Sequence, residues 1–205
     1  MKKEKSLSKK QIHNLTLKLT VMAVLTALVI VLQLFGSVFR IGTVNLSFVL
    51  IPIVLGGIFV GKTGGAFLGF LFGMITLIAG ITGTDPFTHI LFTNSPVITS
   101  LICLGKGILA GLGSAWLYQL VSKKNSYVAT FVASAAAPVI NTGLFIFGAL
   151  FLKDIISANF VAEGTTFLYF LIIGCAGINF IFEFIINLVF SPAVYAVVKA
   201  IKKRK

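Results

Sequence analysis

Leu19-Thr-Val-Met-Ala-Val-Leu-Thr-Ala-Leu-Val-Ile-Val-Leu-Gln-Leu34 runs from end to end without a charged side chain. A stretch of this length and apolarity is a bilayer-spanning helix rather than a core helix of a small soluble domain, because crossing a hydrocarbon core of about 30 Å takes about 20 apolar residues. The same reading holds for 101–121, interrupted only by Lys106, and for 167–198, interrupted only by Glu183. The whole chain follows suit. It has 205 residues, is 58% hydrophobic and only 11% charged, and its mean hydropathy is +1.06. Soluble domains carry about a quarter of charged residues, so lipid is the solvent here. The fold class is an all-α polytopic membrane protein.

Gly, Pro, Asn and charged residues divide the chain into six apolar segments, 15–36, 46–61, 64–82, 97–121, 127–152 and 165–198. They predict a bundle of six transmembrane helices forming one membrane domain over 1–205. An even count puts both termini on one side. With the N- and C-termini cytoplasmic, the inner side holds Lys2, Lys3, Lys5, Lys9, Lys10, Lys18, Lys62, Lys123, Lys124, Lys199, Lys202, Lys203, Arg204 and Lys205. The outer loops keep Arg40 and Lys153 beside Asp85, Asp154 and Glu163, as the positive-inside rule requires of a cell-membrane protein. The lysine-rich start superficially resembles a secretion signal, but its apolar run is too long and no small-residue cleavage site closes it, so it reads as the first spanning helix. Segment 46–61 is short for a span and reads as a tilted or partly buried helix. The inner connections are short, whereas the outer loops 37–45, 83–96 and 153–164 carry most of the polar variety, which places recognition outside.

Several function classes drop out. The net charge of +12 sits at chain ends and inner loops, with no basic stripe interleaved with exposed aromatics, so nucleic acid is not a partner. Cys103 and Cys175 lie inside apolar segments without CxxC or His-rich spacing. His89 has only Asp85 as an acidic neighbour, which is too few ligands for a metal. No H-E-x-x-H, G-x-S-x-G or P-loop is present, so no enzyme chemistry and no resident cofactor are expected. Any ATP that drives transport is hydrolysed by another subunit.

The polar residues inside the apolar segments are the candidate site. A charged group facing lipid at mid-bilayer costs about 2.5–3.5 kcal/mol on insertion scales, so Lys106 and Glu183 must face a cavity or each other. Lys106 lies about nine residues, or about 13 Å at helical rise, from the outer end of its segment, within reach of a pocket open to the exterior. Its ammonium suits the anionic part of a solute. Asn179, Glu183 and Asn187 recur every four residues and share one helical face. Asn141 adds a polar group at similar depth, beside Pro138, which frees a backbone carbonyl. Two readings of Asn141, Asn179 and Glu183 stay open: ligand contacts, or a polar clamp between helices in which Lys106 pairs with Glu183. The outer loop 83–96, with His89 and Asn94 among turn residues and aromatics, has the make-up of a lid over a small polar ligand. Small residues at four-residue spacing, Ala23 and Ala27, Gly69 and Gly73, Gly107 and Gly111, Ala110 and Ser114, form smooth stripes for close helix packing.

Together these residues resemble the substrate-binding S components of energy-coupling factor (ECF) vitamin transporters. The resemblance rests on the lysine-rich start, six segments in about 200 residues, the run from Asn45 through Pro52, Gly56 and Gly57 to Gly61, Gly64, Gly69 and Gly73, then Lys106, Gly107, Ala110 and Gly111, and Pro138 to Gly143. It implies a membrane-embedded binder that captures a vitamin-type substrate outside and delivers it through a transmembrane coupling subunit and two ATPase subunits. It also implies that Ala23 and Ala27 match the family's A-x-x-x-A motif, whose small face docks on the coupling subunit. The family's site at the outer ends of the later helices corresponds here to Lys106, Asn141, Asn179 and the 83–96 loop. Charge complementarity to Lys106 favours a carboxylate-bearing solute such as pantothenate, lipoate or biotin over thiamin, with riboflavin and pyridoxine derivatives as further alternatives. The alternative is a self-sufficient secondary transporter or channel with Lys106 and Glu183 as an ion relay. A third class, an enzyme acting on lipid, lacks a nucleophile with its base.

Overall fold

Charge and glycine punctuate the chain where apolar runs must reverse. In the computed structural model, which describes residues 9–36, 40–41, 44–45 and 48–202, these breaks separate the helices α1 (Lys9–Gly36), α2 (Leu50–Phe59), α3 (Lys62–Thr82), α4 (Pro86–Asn94), α5 (Pro96–Val121), α6 (Ser126–Leu150), α7 (Lys153–Phe160), α8 (Phe167–Tyr169) and α9 (Ile178–Lys202). A π-helical segment, Phe170–Gly177, joins α8 to α9. Two short strands, β1 (Arg40–Ile41) and β2 (Val44–Asn45), pair antiparallel with Arg40 opposite Asn45. The lysines before Lys9, the basic residues after Lys202 and positions 46–47 of the motif that starts at Asn45 lie outside the described residues.

Five helical stretches are long and apolar enough to cross a membrane: α1, α3, α5, α6 and Phe167–Ile201. The molecule is therefore an all-α multi-pass bundle. The sixth apolar segment forms α2, ten residues long, about 15 Å at helical rise. Leu50, Ile53 and Val54 of α2 are buried, and it touches α1, α3, α5, α6 and α9. Protein, not lipid, surrounds it, so its length need not match the bilayer.

The tightest packing joins α3 to α5. Gly65 faces Gly111, Gly69 faces Gly107, and Gly73 faces Cys103, an antiparallel register that steps one helical turn at a time. A Cβ on Gly65 would lie 2.5 Å from the Gly111 carbonyl oxygen, and one on Gly73 would lie 2.5 Å from that of Cys103. At Gly69 and Gly107 each glycine backs onto the other's carbonyl. Only residues without a side chain allow two backbones to meet so closely. The Gly69/Gly73 and Gly107/Gly111 stripes are thus used inside the bundle. Ala110 and Ser114 are fully buried beside them.

One apolar core gathers Leu25, Val29, Leu50, Ile53, Leu68, Phe72 and the alanine stripe Ala129, Ala133 and Ala137 of α6. A second gathers Phe87, Leu91, Leu152, Ile156, Phe167 and Leu171. That second core is built from α4 and α7, the short helices within the outer connections, packed on the ends of α6 and the π-helical segment. The 83–96 stretch, read from sequence as a loop, is largely helical because Pro86 occupies the first turn, where a missing N–H costs nothing. Thr88 Oγ1 donates to Asp85 Oδ2 at 2.5 Å, and Asp85 precedes the helix as its cap residue.

Candidate functional site

The four-residue spacing of Asn179, Glu183 and Asn187 becomes one inward face of α9. Glu183 and Asn187 are each 1% exposed. Asn179 Nδ2 donates to Glu183 Oε1 at 3.2 Å, and Asn187 Nδ2 donates to the Glu183 backbone carbonyl at 2.8 Å. These bonds fix how both amides point, because a flipped amide would set oxygen against oxygen. What remains is acceptors. Asn179 Oδ1, Glu183 Oε2 and Asn187 Oδ1 are buried without a hydrogen-bond partner. Across the bundle on α6, Asn141 is 4% exposed, and its Oδ1 is likewise unpartnered. An unsatisfied buried polar atom costs about 1–3 kcal/mol, so these four acceptors make the facing sides of α6 and α9 the candidate site.

Lys106 occupies the middle of α5. Its Nζ sits 5.5 Å from the ring centroid of Phe72 on α3 and 5.4 Å from that of Phe145 on α6, a cation–π cradle that holds the ammonium without neutralising it. Among the described residues no ion pair joins Lys106 to Glu183. Lys106 and the Asn141 amide nevertheless lie close enough to act on the Glu183 carboxylate. Two turns toward the outer end, on the same face as Lys106 by helical spacing, Thr99 is 1% exposed with an unpartnered Oγ1. A cavity of about 390 Å³ opens between α5 and α6, lined by Ile98, Leu101, Ile102, Gly105, Lys106, Leu109, Leu144, Phe147, Gly148 and Phe151. Lys106 is its one ionisable lining residue, and Leu101, Phe147 and Phe151 are exposed, so this groove faces lipid on its outer side. The polar groups lie deeper in the bundle.

An aromatic chain closes one end of the bundle above the candidate site. Phe145, one wall of the Lys106 cradle, lies 6.1 Å from Phe87 of α4; Phe87 lies 4.8 Å from Phe160 of α7; and Phe160 stacks at 6.2 Å on Phe170 of the π-helical segment. The short helices α4 and α7 therefore form a roof over this end of the bundle, and Phe145 of α6 links it to the lysine.

The other sequence candidates sit elsewhere. His89 Nδ1 meets the Gly80 carbonyl at 2.7 Å, tying α4 to the end of α3. Asn94 is exposed and donates to its own helix at Ile90 O, 2.8 Å away. Ala23 and Ala27 are exposed on α1, among the outward Leu19, Val24, Leu28, Val31 and Leu34. Only Leu25, Val29 and Gly36 of α1 are buried. Sequence reading missed Phe72, Phe145 and Thr99. With 20 Phe in the chain, no local signal distinguishes the two that flank a cation, whereas Thr99 was findable by its two-turn spacing from Lys106. Among the described residues no three His, Cys, Asp or Glu side chains gather where a metal could bind.

The family model described as ECF transporter, substrate-specific component, matches residues 17–195. No curated protein matches the chain.

Proposed function

The chain belongs to the family of ECF transporter substrate-specific components, membrane-embedded subunits that bind a small molecule for import, and on that premise we propose that it captures a vitamin-type micronutrient from outside the cell. Its binding groups are Lys106, Asn141, Asn179 and Glu183. The observation that carries this reading is a half-buried lysine held on two aromatic rings without an ion pair, together with buried acceptors on α6 and α9 that lack donors. A clamp made only to join helices would satisfy its own groups. This neighbourhood leaves them open, as a solute site does. His89 and Asn94 belong to the covering elements and act through the roof they help to build.

In this reading the chain crosses the plasma membrane of a bacterial-type cell six times as one membrane domain, counting α2, and both termini are cytoplasmic. The distribution of Lys and Arg supports that orientation. A transmembrane coupling subunit and two ATPase subunits supply energy, and this subunit performs no catalysis itself. The exposed small residues Ala23 and Ala27 on the barely buried α1 support docking of the coupling subunit there. A carboxylate on the solute complements Lys106, with pantothenate as a representative candidate.

Thermal-shift titration of the purified chain with water-soluble vitamins tests the reading. One vitamin should stabilise the chain in the absence of any partner, and a flat response across the panel would overturn it. In the assembled importer, Ala23→Leu with Ala27→Leu should abolish uptake and leave solute affinity unchanged. Undiminished uptake would move the docking surface elsewhere.

A further inference from the structure

We infer that the solute must carry a hydrogen-bond donor group, N–H or O–H, as well as an anionic group, the donor meeting the open acceptors of Glu183, Asn179 and Asn141, and the anion meeting Lys106. This deepens the binding reading above and rests on it. Lys106 alone would select any carboxylate. The opposite pole is what narrows the class.

The argument is an account of donors and acceptors. The Asn179 amide turns a donor to Glu183 Oε1, and that bond commits its Oδ1 to face away. Glu183 Oε2, Asn179 Oδ1 and Asn141 Oδ1 are all buried without a hydrogen bond of good geometry among the described residues, the Asn141 amide lying close to the Glu183 carboxylate. A second carboxylate or a bare hydrocarbon placed there would leave every one of these acceptors unpaired. A ureido, amide, amino or ring N–H, or a hydroxyl, supplies what is missing, and its bond to Glu183 is strengthened by the carboxylate charge. At the other pole the Lys106 ammonium is backed by two ring faces, which offer no acceptor for its N–H groups beyond their π clouds. An anionic oxygen satisfies it. Since no ion pair joins Lys106 to Glu183, both poles remain available to one ligand. Sites built to bond an N–H discriminate sharply against analogues that lack it, because the buried acceptors are then stranded.

The experiment compares biotin and pantothenate, which carry both a carboxylate and an N–H, with lipoate, which has a carboxylate and no N–H, and with thiamin, which has an amine and no carboxylate. Binding of each to the purified full-length chain is read by calorimetry. The tight binder should come from the first pair. Methylating its N–H and O–H donors one at a time should then reveal one whose loss weakens binding to the wild-type chain at least about tenfold and changes binding to Glu183→Gln far less. Asn179→Leu serves as a second variant should Glu183→Gln fail to yield folded protein. Tight binding of lipoate, or a methylation penalty of equal size in wild type and variants, would overturn the inference while leaving the chain a solute binder. Failure of every solute to bind would overturn the binding reading and this inference with it.

Discussion

Between α3 and α5 two backbones touch through Gly65, Gly69 and Gly73 against Gly111, Gly107 and Cys103. Between α6 and α9 the facing groups are Asn141, Asn179, Glu183 and Asn187, and each keeps an acceptor without a donor. The first seam gains its stability from close van der Waals contact, which needs small residues and tolerates no change of volume. The second gives up stability to hold polar atoms in a dry place. One seam is a wall and the other a set of buried open acceptors. Lys106 belongs to both, since it lies one residue before Gly107 on α5 and projects its ammonium onto Phe145 of α6.

The sharpest way to break the comparison is at the wall. Gly107→Leu should abolish folded, monodisperse protein in detergent, because its side chain would have to displace the Gly69 backbone rather than a flexible side chain. Size-exclusion chromatography reads this directly, and a normal elution profile would show that the seam can open. Lys106→Met comes next: it should weaken an anionic solute by about 1.5–3 kcal/mol, the size of a charge-assisted hydrogen bond, with little change in melting temperature. Calorimetry separates the two effects.

Glu183→Leu probes the polar seam for what it costs. Removing a buried acidic group that lacks a full set of partners should leave the melting temperature level or raise it slightly, while solute affinity falls. A large drop in melting temperature would make Glu183 a structural clamp. The smallest effect is expected at Gly143, where a Cβ would meet nothing within 4 Å. Gly143→Ala should stabilise α6 by about 0.5–1 kcal/mol, the usual helix preference for alanine. The contrast with Gly107 would show that position in the bundle, not glycine as such, sets the cost.

Much of the architecture was legible because hydropathy acts locally. Uncharged runs such as Leu19–Leu34 cannot be anything but lipid-facing or bundle-buried helix. The inward turn of Asn179, Glu183 and Asn187 was legible for the same reason, since a periodic polar face in lipid has nowhere else to go. The small-residue stripes at Gly69/Gly73 and Gly107/Gly111 were visible, but their partnership was not. Which stripe meets which depends on the order in which helices stack. The helical character of 86–94 was within reach through Asp85 and Pro86, and turn residues around it masked the signal. The π-helical segment Phe170–Gly177 carries no sequence signature at all. Its extra residue per turn sets the register at which α9 begins.

The amino-acid sequence by itself determined that lipid is the solvent, where the chain reverses, and which ionisable groups must be hidden, because each follows from the transfer free energy of side chains taken one segment at a time. Tertiary structure alone decided that Lys106 is cradled by Phe72 and Phe145 instead of paired with Glu183, and that the acceptors of α6 and α9 are left open together. These outcomes depend on distances between helices far apart in the chain, and those distances are set by how closely glycine and alanine let the backbones approach.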